Sequence, residues 1–385
     1  MRDRLKYYPV NWIDGMKINK DHFIAQDHAV KNALHDTAAL SLSPQRYGLL
    51  PPTAQGENTF RAKISLDNQN TLRVVVEACQ AMTPGGIRIA LPSFAANTPT
   101  ENDYMPSIIF PFTSTEVELD WWIVLVVNPF ETQPAGSPDL SEVPPRFPFV
   151  LPTYSIQVVS TSQYKQFALH PYALTIGKLF IYGGEIRIVD YYIPPCISVS
   201  AHPDLVSLHG EFDQFMASLE RHCVQIVQKI FKKSQQNDIS ELVMFLCDRI
   251  LLYVSQALSA LRLVGMHQAP ADLFLTIATL ARVIKNTIDL RIGSGRDELM
   301  NYLSEWCDLK QGELDAMLNS IANMTYEHND VNKNISEVAV FAKVVTKLFA
   351  TLSKLDFIGK RKEAGIFVKE EQGEARRESK HRFLG

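Results

Sequence analysis

The chain has 385 residues, a formal net charge of −4, 46% hydrophobic residues and 21% charged residues. This length is enough for two or three domains of roughly 100–200 residues, and the composition is that of a globular protein with several cores. The slightly acidic balance gives no electrostatic reason to expect nucleic-acid binding, which a strongly basic domain would indicate.

The amino-terminal stretch and the cysteines indicate the compartment. Residues 1–8 carry positive charges but no apolar core behind them, so we expect no secretory signal. The most apolar run, residues 121–127, is far shorter than the ~20 residues that cross a bilayer, so we expect no direct membrane insertion. No cysteine pair has Cys-x-x-Cys spacing, which favours neither zinc nor disulfides and predicts a reducing, cytoplasmic location. The cysteines are Cys79, Cys196, Cys223, Cys247 and Cys307.

The first element is a turn followed by a helix. Asp14-Gly15 is a strong turn signal, because Gly accepts positive φ and Asp bonds the following backbone. Asn19 or Asp21 can cap a helix that we predict over residues 20–39, ending before Ser43-Pro44. The side chains at helical spacing on it are Phe23, Val30, Leu34 and Thr37.

From there to about residue 200 the pattern is β-rich. Predicted strands cover residues 59–64, 71–79, 86–91, 122–127, 156–159, 164–169, 173–182 and 185–189, and Gly183-Gly184 is a hairpin signal between the last two. The fully apolar runs 122–127 and 156–159 are typical of central strands, whereas residues 97–111 and 128–152 form proline-rich loops. Strand alternation places Trp121 and Trp122 on opposite faces, one inside a sandwich and one against another element or subunit. We therefore predict an antiparallel sandwich or barrel-like sheet domain, and not a Rossmann sheet.

After Ile193-Pro194-Pro195 the periodicity becomes helical. Helices are predicted from Pro203 and over residues 242–264, 270–288, 298–306, 312–324 and 336–355, with short loops that favour antiparallel neighbours. The predicted fold is α+β, with a shell domain over residues 1–195, a helical bundle over 196–358 and a charged, flexible tail over 359–385. The apolar stripe of the first bundle helix predicts a packing seam. Its members are Leu205, Leu208, Phe212, Phe215 and Leu219.

The search for reactive groups predicts neither an enzyme nor a bound cofactor or metal. His22 and His28 lie about 240° apart around a helix, so capping or interface roles are favoured over shared metal ligation. The segment Gly293-Ser294-Gly295-Arg296 could cradle a phosphate, but a helix stop and restart is the commoner meaning. Cys223 and Cys247 fit helical periodicity as buried thiols, and a Gly-x-Ser-x-Gly turn is lacking.

Two segments resemble one known family. The first segment is similar to the amino-terminal signature of TssK, a baseplate protein of bacterial type VI secretion systems. It reads Val10-x-Trp12-x-Asp14-Gly15-Met16-x-Ile18-x-x-x-His22-Phe23-x-x-Gln26-Asp27. The second, Tyr192-Ile193-Pro194-Pro195 through Leu205, is similar to the segment that joins the sheet domain of TssK proteins to the first bundle helix.

The resemblance implies a homotrimeric adaptor. In the family, the shell domain docks onto the TssF and TssG wedge proteins, a helical bundle holds the trimer, and a carboxyl-terminal domain reaches the inner-membrane complex. Carried over by motif, one set of residues shapes the shell domain and its docking surface, and Pro194 and Pro195 form the hinge. The docking set is Trp12, Gly15, Met16, His22, Phe23 and Gln26.

The chain departs from the family pattern after about residue 290, where helices and a charged tail replace a small mixed sheet domain. A shortened, helical end suits the divergent Bacteroidetes-type systems, which lack the usual TssJLM membrane complex. Two other functions stay open at this point. One is a phage-tail-like adhesin or adaptor, and the other is a carbohydrate-active enzyme with two carboxylates roughly 5–10 Å apart in a cleft.

Overall fold

The computed structural model describes residues 6–53, 59–92, 105–112, 120–182, 185–307 and 309–359. The chain forms two compact units. The first comprises Met1–Pro203 together with the short segment His328–Asn332, and the second comprises Asp204–Glu327 and Lys333–Gly385. The predicted turn at Gly183-Gly184 and the predicted tail after residue 359 lie outside the described residues.

The first unit begins with helix α1, Lys20–Ala39, over the range that its caps predict. One antiparallel sheet follows, in which the long strand β3 pairs with every other member because its twelve residues reach past several short strands. Its strands are β1 (Gly48–Leu49), β2 (Phe60–Leu66), β3 (Thr71–Met82), β4 (Arg88–Leu91) and β5 (Ser107–Pro111).

A second antiparallel sheet has the order β7-β6-β8-β9. Its strands are β6 (Asp120–Ala135), β7 (Phe149–Ser160), β8 (Ala173–Tyr182) and β9 (Glu185–Ile188). β6 is central, as predicted from its apolar run. The prediction that residues 156–159 form a central strand is wrong, because β7 lies at the sheet edge. The buried Ile156 and Val159 nevertheless account for the apolar run there.

The two sheets pack face to face, which confirms the sandwich. The Trp121 ring of β6 lies 5.2 Å from the Phe112 ring, which follows β5. A Cβ atom on Gly177 of β8 would lie 3.1 Å from Cδ1 of Ile64 in β2, so the sheets approach closely there. Trp122 points to the other face and stacks on Tyr164 with ring centroids 4.3 Å apart. The prediction that the two tryptophans face opposite sides is confirmed.

Three further predictions of strands and loops are wrong. Residues 107–111, expected within a loop over residues 97–111, form β5, which pairs with β3 from Thr71↔Pro111 to Val75↔Ser107, whereas residues 97–104 lie outside the described residues. Residues 164–169, expected as a strand, comprise the last residue of the short helix α2, Thr161–Tyr164, and turns over residues 165–169. The Tyr164 ring stacks on Trp122 there. Residues 128–152, expected as a loop, lie largely in β6 and β7, which pair from Thr132↔Pro152 to Ala135↔Phe149. The prolines fit because β8 pairs with β6 only as far as Val126, so that beyond this point β6 pairs with β7 alone among the described strands.

The second unit is helical. Its helices are α3 (Pro203–Lys232), α4 (Asp238–Val264), α5 (Pro270–Asp289), α6 (Arg296–Cys307), α7 (Gln311–Ala322) and α8 (Val331–Lys354). α3 and α4 run antiparallel, as their short connection predicts: a ring nitrogen of His209 bonds the Leu261 carbonyl at 2.9 Å, and Asp213 pairs with Arg262. The α+β class is therefore confirmed.

Candidate protein-interaction surface

The amino-terminal segment and α1 expose an unusual amount of apolar side chain. Ala29 is the only residue of α1 that is buried. Phe23, Val30 and Leu34 fall on one stripe of the helix, since they are seven and four residues apart, and all three are exposed, Phe23 by 63%. We call this region the amino-terminal apolar surface. Its members are Trp12, Ile13, Ile18, Phe23, Ile24, Val30 and Leu34.

Local backbone interactions hold this surface in one shape. The Asp14-Gly15 turn forms as predicted, with Gly15 at φ +78° and the Met16 N–H donating to the Ile13 carbonyl at 3.3 Å. Ile18 follows and leads into the cap of α1. An exposed apolar segment that is turned and hydrogen-bonded can meet a partner without first being ordered, which lowers the entropic cost of binding.

His22 has a structural task in the cap. The Asn19 side chain accepts a hydrogen bond from the His22 N–H at 3.2 Å, and the Asn19 N–H donates to Nδ1 of His22 at 3.2 Å. This reciprocal pair is a capping box with histidine in the place usually taken by Glu or Gln. His22 therefore takes part in the cap of α1, which is one of the roles expected for it.

Gln26 and Trp12 tie the extended segment to the helix. Oε1 of Gln26 accepts a hydrogen bond from the Val10 N–H at 3.1 Å. The Trp12 ring lies 6.2 Å from Phe23 and 6.1 Å from His22, centroid to centroid, and is 46% exposed. The structure therefore brings Trp12, His22, Phe23 and Gln26 together, while Gly15 and Met16 form the turn beside them.

The opposite face of α1 is anchored to the sheets. Phe130 of β6 lies 4.3 Å from the Tyr7 ring and 5.3 Å from the His28 ring. Gly86 permits a close approach, because a Cβ there would lie 2.4 Å from the carbonyl oxygen of His35. Burial and the charge of Lys31 lower the pKa of His35, which packs near Phe130. These contacts leave the Phe23 stripe on the outside.

The predicted hinge prolines are buried within the first unit. The Leu49 N–H donates to the Pro195 carbonyl at 2.7 Å, and the Ile197 N–H donates back to the Leu49 carbonyl at 3.0 Å. β1 thus pairs in parallel with the segment after Pro194. A Cβ on Gly48 would lie 1.9 Å from the Pro195 oxygen, so this pairing requires glycine. A hinge role for the prolines stays a prediction.

Sequence reasoning missed the contribution of residues 328–332 to the first unit. Asn329 accepts from the Tyr47 hydroxyl at 2.8 Å through Oδ1 and donates to the Ala168 carbonyl at 2.9 Å. Its own carbonyl accepts from the Tyr192 hydroxyl at 2.6 Å. The dense run of polar residues between two helices was the available signal, since loops of this composition often bond to backbone groups.

Burial and ion pairing also tie residues 328–332 to the first unit. Burial of the ring lowers the pKa of His328 to about 4. Its hydrogen bond to the Tyr47 carbonyl, at 2.9 Å, acts in the opposite direction but is outweighed. Burial also disfavours the charge on Lys178, but the hydrogen bond and charge of Asp330, together with Asp120, outweigh it and raise the pKa of the ammonium. Lys178 lies 2.9 Å from Asp330 and 4.7 Å from the centroid of the Trp122 ring.

The predicted seam of α3 is buried within the chain itself. Each of its five side chains is at most 3% exposed in a single copy. Phe212 lies 6.4 Å from Phe274 of α5, and Phe215 lies 6.5 Å from Phe341 of α8. These residues therefore form the core of the helical unit, and any contact with a second copy must use other positions.

The segment Gly293-Ser294-Gly295 lies between the end of α5 and the beginning of α6, as the commoner of its two interpretations predicts. Both glycines have positive φ, at +78° and +105°. The guanidinium of Arg296 is already paired, at 3.1 Å each, with Asp289 and Asp315, and the surrounding cleft is lined by more carboxylates than cations. This charge balance disfavours a phosphate.

The described residues offer neither a cluster of metal ligands nor an apolar helix that needs a membrane to explain it. Across 6–53, 59–92, 105–112, 120–182, 185–307 and 309–359, no group of three or more His, Cys, Asp or Glu could hold a metal ion. In the same ranges, Asp238–His267 alone is long and apolar enough to cross a membrane by length and composition. Leu246 and Ile250 in this segment are fully buried, so the helical core accounts for much of its apolar character.

Comparison with known proteins gave structural neighbours only. No protein-family model and no curated protein matches the chain. Its structure is similar to a chain of the baseplate complex from the type VI secretion system, with a TM-score of 0.46 and 15% identity over 89% of this chain and 99% of that chain.

Two further neighbours are TssK structures. TssK from EAEC in complex with nanobody nb18 has a TM-score of 0.43 and 14% identity, over 85% of this chain and 99% of that chain. A crystal structure of TssK has a TM-score of 0.42 and 15% identity, over 90% of this chain and 69% of that chain. TssK is also the family that the two sequence motifs resemble.

Proposed function

We propose that this protein is a structural adaptor of a type VI secretion baseplate, a TssK-like protein that works by binding other proteins. The observation that carries the proposal is the amino-terminal apolar surface. The motif residues Trp12, His22, Phe23 and Gln26 are brought together there, and the surface is both ordered and exposed. An exposed apolar patch of this kind marks a protein-binding site.

The partners follow from the family resemblance. One similar structure is a TssK-TssF-TssG baseplate subcomplex. We infer that the first unit of this chain binds TssF/TssG-like wedge proteins through its amino-terminal apolar surface. The carboxyl-terminal part would contact a membrane-anchoring complex, so that the protein acts in the cytoplasm at a baseplate docked on the inner membrane.

We further infer a homotrimer. Because the α3 seam is buried inside a single chain, contacts between copies in the trimer must use other apolar positions on the helices. Leu252 and Leu263 of α4 are three turns apart on one face and are 66% and 80% exposed. Leu275 of α5 is 61% exposed and lies near the Leu252 end of this face, since the Tyr253 hydroxyl bonds the Thr276 carbonyl at 2.6 Å. These side chains fit a contact between copies.

Wedge binding is tested with the full-length protein and a co-expressed TssF/TssG-like complex. Phe23→Asp and Val30→Asp are expected to weaken capture by roughly tenfold or more, because a charge placed in an apolar contact must be desolvated. Phe231→Asp, at an equally exposed aromatic of α3, is the matched control. Equal capture by all variants would refute binding through this surface.

The trimer is tested by light scattering at micromolar concentration. We expect three times the 43.4 kDa chain mass for the native protein. Leu252→Asp combined with Leu263→Asp is expected to lower the mass, and Val340→Asp on α8 to leave it unchanged. A monomer or dimer for the native chain would contradict the homotrimer.

A further inference from the structure

The turn at Asp14-Gly15 is exposed at both residues, and among the described residues a single backbone hydrogen bond closes it. This bond runs from the Met16 N–H to the Ile13 carbonyl at 3.3 Å, which is longer than the usual N–H···O distance of about 2.7–3.2 Å. Gly15 has φ +78°, and nothing lies within 4 Å of the position that a Cβ would take there. The turn can therefore open without disturbing a packed neighbour.

Two groups at this turn can react with one another. In the part of the chain that the structure describes, nothing bonds the Asp14 carboxylate or the Gly15 N–H. Attack of the Gly15 nitrogen on Cγ of Asp14 closes a five-membered ring, because the two atoms are separated by only the carbonyl carbon, Cα and Cβ of Asp14. The attack requires rotation of the peptide plane between the two residues. Glycine permits this rotation, because it has no Cβ and accepts a wide range of φ.

The sequence offers this arrangement once. Asp14 is the only aspartate in the chain that is followed by glycine, and no asparagine is followed by glycine. After every other aspartate the next residue carries a side chain, which crowds the nitrogen of such a ring. Asp27 and Asp36 also lie inside α1, where the helix holds the backbone N–H groups in hydrogen bonds. The reaction is therefore favoured at one position.

We propose that Asp14 is a modification site, at which the chain isomerises to isoaspartate. The Gly15 nitrogen forms a bond to Cγ of the Asp14 carboxylic acid, the C–OH bond breaks, and the hydroxyl group leaves with the amide proton as water. A cyclic succinimide results. Water then adds to the ring carbonyl that came from the main chain and breaks its bond to nitrogen. One water leaves and one is added, so the mass is unchanged and the step needs no oxidant or cofactor.

The product changes the shape of the amino-terminal apolar surface. Its main chain runs through Cβ and Cγ of residue 14 and is longer by one methylene carbon. The segment lies between two fixed points, the bond from the Val10 N–H to Gln26 and the cap of α1 at Asn19. A longer segment between these points breaks the turn and moves Trp12 from its place 6.2 Å from Phe23. This change follows from the chemistry of the chain alone and does not depend on a wedge partner.

Ageing of the full-length protein at neutral pH and physiological temperature tests the proposal. Methyl transfer from S-adenosylmethionine by a protein isoaspartate methyltransferase detects the product, and electron-transfer fragmentation locates it in the tryptic peptide of residues 7–17. We expect isoaspartate at Asp14 and not at Asp21, an equally exposed aspartate that is followed by His22. Isoaspartate that is no more frequent at Asp14 than at Asp21 would overturn the proposal.

Two variants test the ring closure. Gly15→Ala is expected to slow the formation of isoaspartate about tenfold, because a Cβ crowds the ring nitrogen, and this factor corresponds to a barrier about 1.4 kcal/mol higher. Asp14→Glu keeps the charge but would have to close a larger ring, so we expect no methylation of its 7–17 peptide. Equal methylation of the native protein and both variants would refute cyclisation at this turn.

A synthetic peptide of residues 7–17 gives the rate in the absence of the fold. Because one long hydrogen bond closes the exposed turn, we expect the native protein to react within about threefold of the peptide rate. A native rate more than about tenfold below that of the peptide would show that the fold holds Asp14 away from reaction, against the proposal.

Hydrogen exchange measures the change of shape within one aged sample. Peptic peptides with aspartate and with isoaspartate at position 14 separate by chromatography, so the two forms of the protein are compared directly. We expect residues 10–19 to exchange faster in the isoaspartate form, while peptides from β6 are unchanged. Identical exchange in the two forms would show that the turn keeps its shape, and the proposed effect on the surface would be wrong.

Discussion

Tyr47 lies at the centre of a polar cluster in the first unit and is 1% exposed. Its hydroxyl bonds Asn329, and its carbonyl bonds the ring of His328. Buried polar groups are stable only when their partners are present, because an unsatisfied group keeps its full desolvation cost. Single side chains of residues 328–332 therefore have large effects on this unit.

The first residue-scale prediction concerns Asn329→Ala. The change removes an acceptor from the Tyr47 hydroxyl and a donor from the Ala168 carbonyl. We expect a loss of about 2 kcal/mol in the free energy of unfolding, measured by urea denaturation. Asn301→Ala, at an exposed position of α6, is the control and is expected to change stability by less than about 0.5 kcal/mol. Equal effects of the two changes would contradict this account.

The second prediction concerns pH. Burial lowers the pKa of His328 from 6.5 to about 4, so the unfolded chain binds a proton there more readily than the folded chain. The stability due to neutral His328 is present above about pH 6.5 and is lost as the pH falls toward 4. Between pH 7 and pH 4, native protein should lose about 3 kcal/mol more than His328→Gln. Unfolding curves at each pH measure this difference, and His267→Gln, at an exposed histidine, should behave as native protein does.

At the scale of elements, close backbone approach decides where β1 lies. β1 is only two residues long, yet it pairs both with β3 and with the segment that contains Pro195. This double pairing depends on Gly48, because any side chain there would occupy the position of the Pro195 carbonyl. A two-residue strand thereby connects the sheet to the end of the β-rich region.

Two glycine substitutions separate steric overlap from backbone strain. Gly48 has positive φ, and the Cβ that Gly48→Ala adds would lie 1.9 Å from the carbonyl oxygen of Pro195. We therefore expect this variant to lose more than about 3 kcal/mol in the free energy of unfolding. Gly15 also has positive φ, but nothing lies within 4 Å of the Cβ that Gly15→Ala adds. The free energy of unfolding should therefore fall by only about 1 kcal/mol. Thermal or urea unfolding of the two variants would disprove the steric argument if the losses were equal.

At the scale of the whole molecule, the first unit is not one continuous stretch of sequence. His328–Asn332 belong to it although more than 120 residues separate them from Pro203. The Ile193 N–H donates to Oδ1 of Asn332 at 3.1 Å, and the Tyr192 hydroxyl donates to the Asn329 carbonyl. A fragment that stops near residue 200 therefore lacks partners for several buried polar groups.

This arrangement predicts the behaviour of a fragment of residues 1–203. We expect its amides at residues 47–49 and 192–197 to exchange with solvent much faster than in the full chain, because their supporting contacts are missing. Hydrogen exchange with mass spectrometry measures the comparison, and peptides from β6 serve as an internal reference. Identical protection in fragment and full chain would contradict a structural role for residues 328–332.

Much of the helical architecture could be predicted from the sequence because its signals are local. The cap at Asn19 begins α1, and the buried stripe of α3 falls on the apolar positions from Leu205 onward. Strand alternation separates the two faces of Trp121 and Trp122 in the same way. These features depend on residues a few positions apart, so spacing alone reveals them.

The features that only tertiary structure decided depend on residues far apart in the chain. Strand pairing extends β6 and β7 through a proline-rich stretch, and Tyr164 of the short helix α2 stacks on Trp122. The α3 stripe finds its partners inside the same chain, and residues 328–332 complete a unit that precedes them in sequence. Sequence periodicity shows which side chains need a partner. The tertiary fold decides which partner each side chain meets, because many apolar or polar surfaces could satisfy the same local pattern.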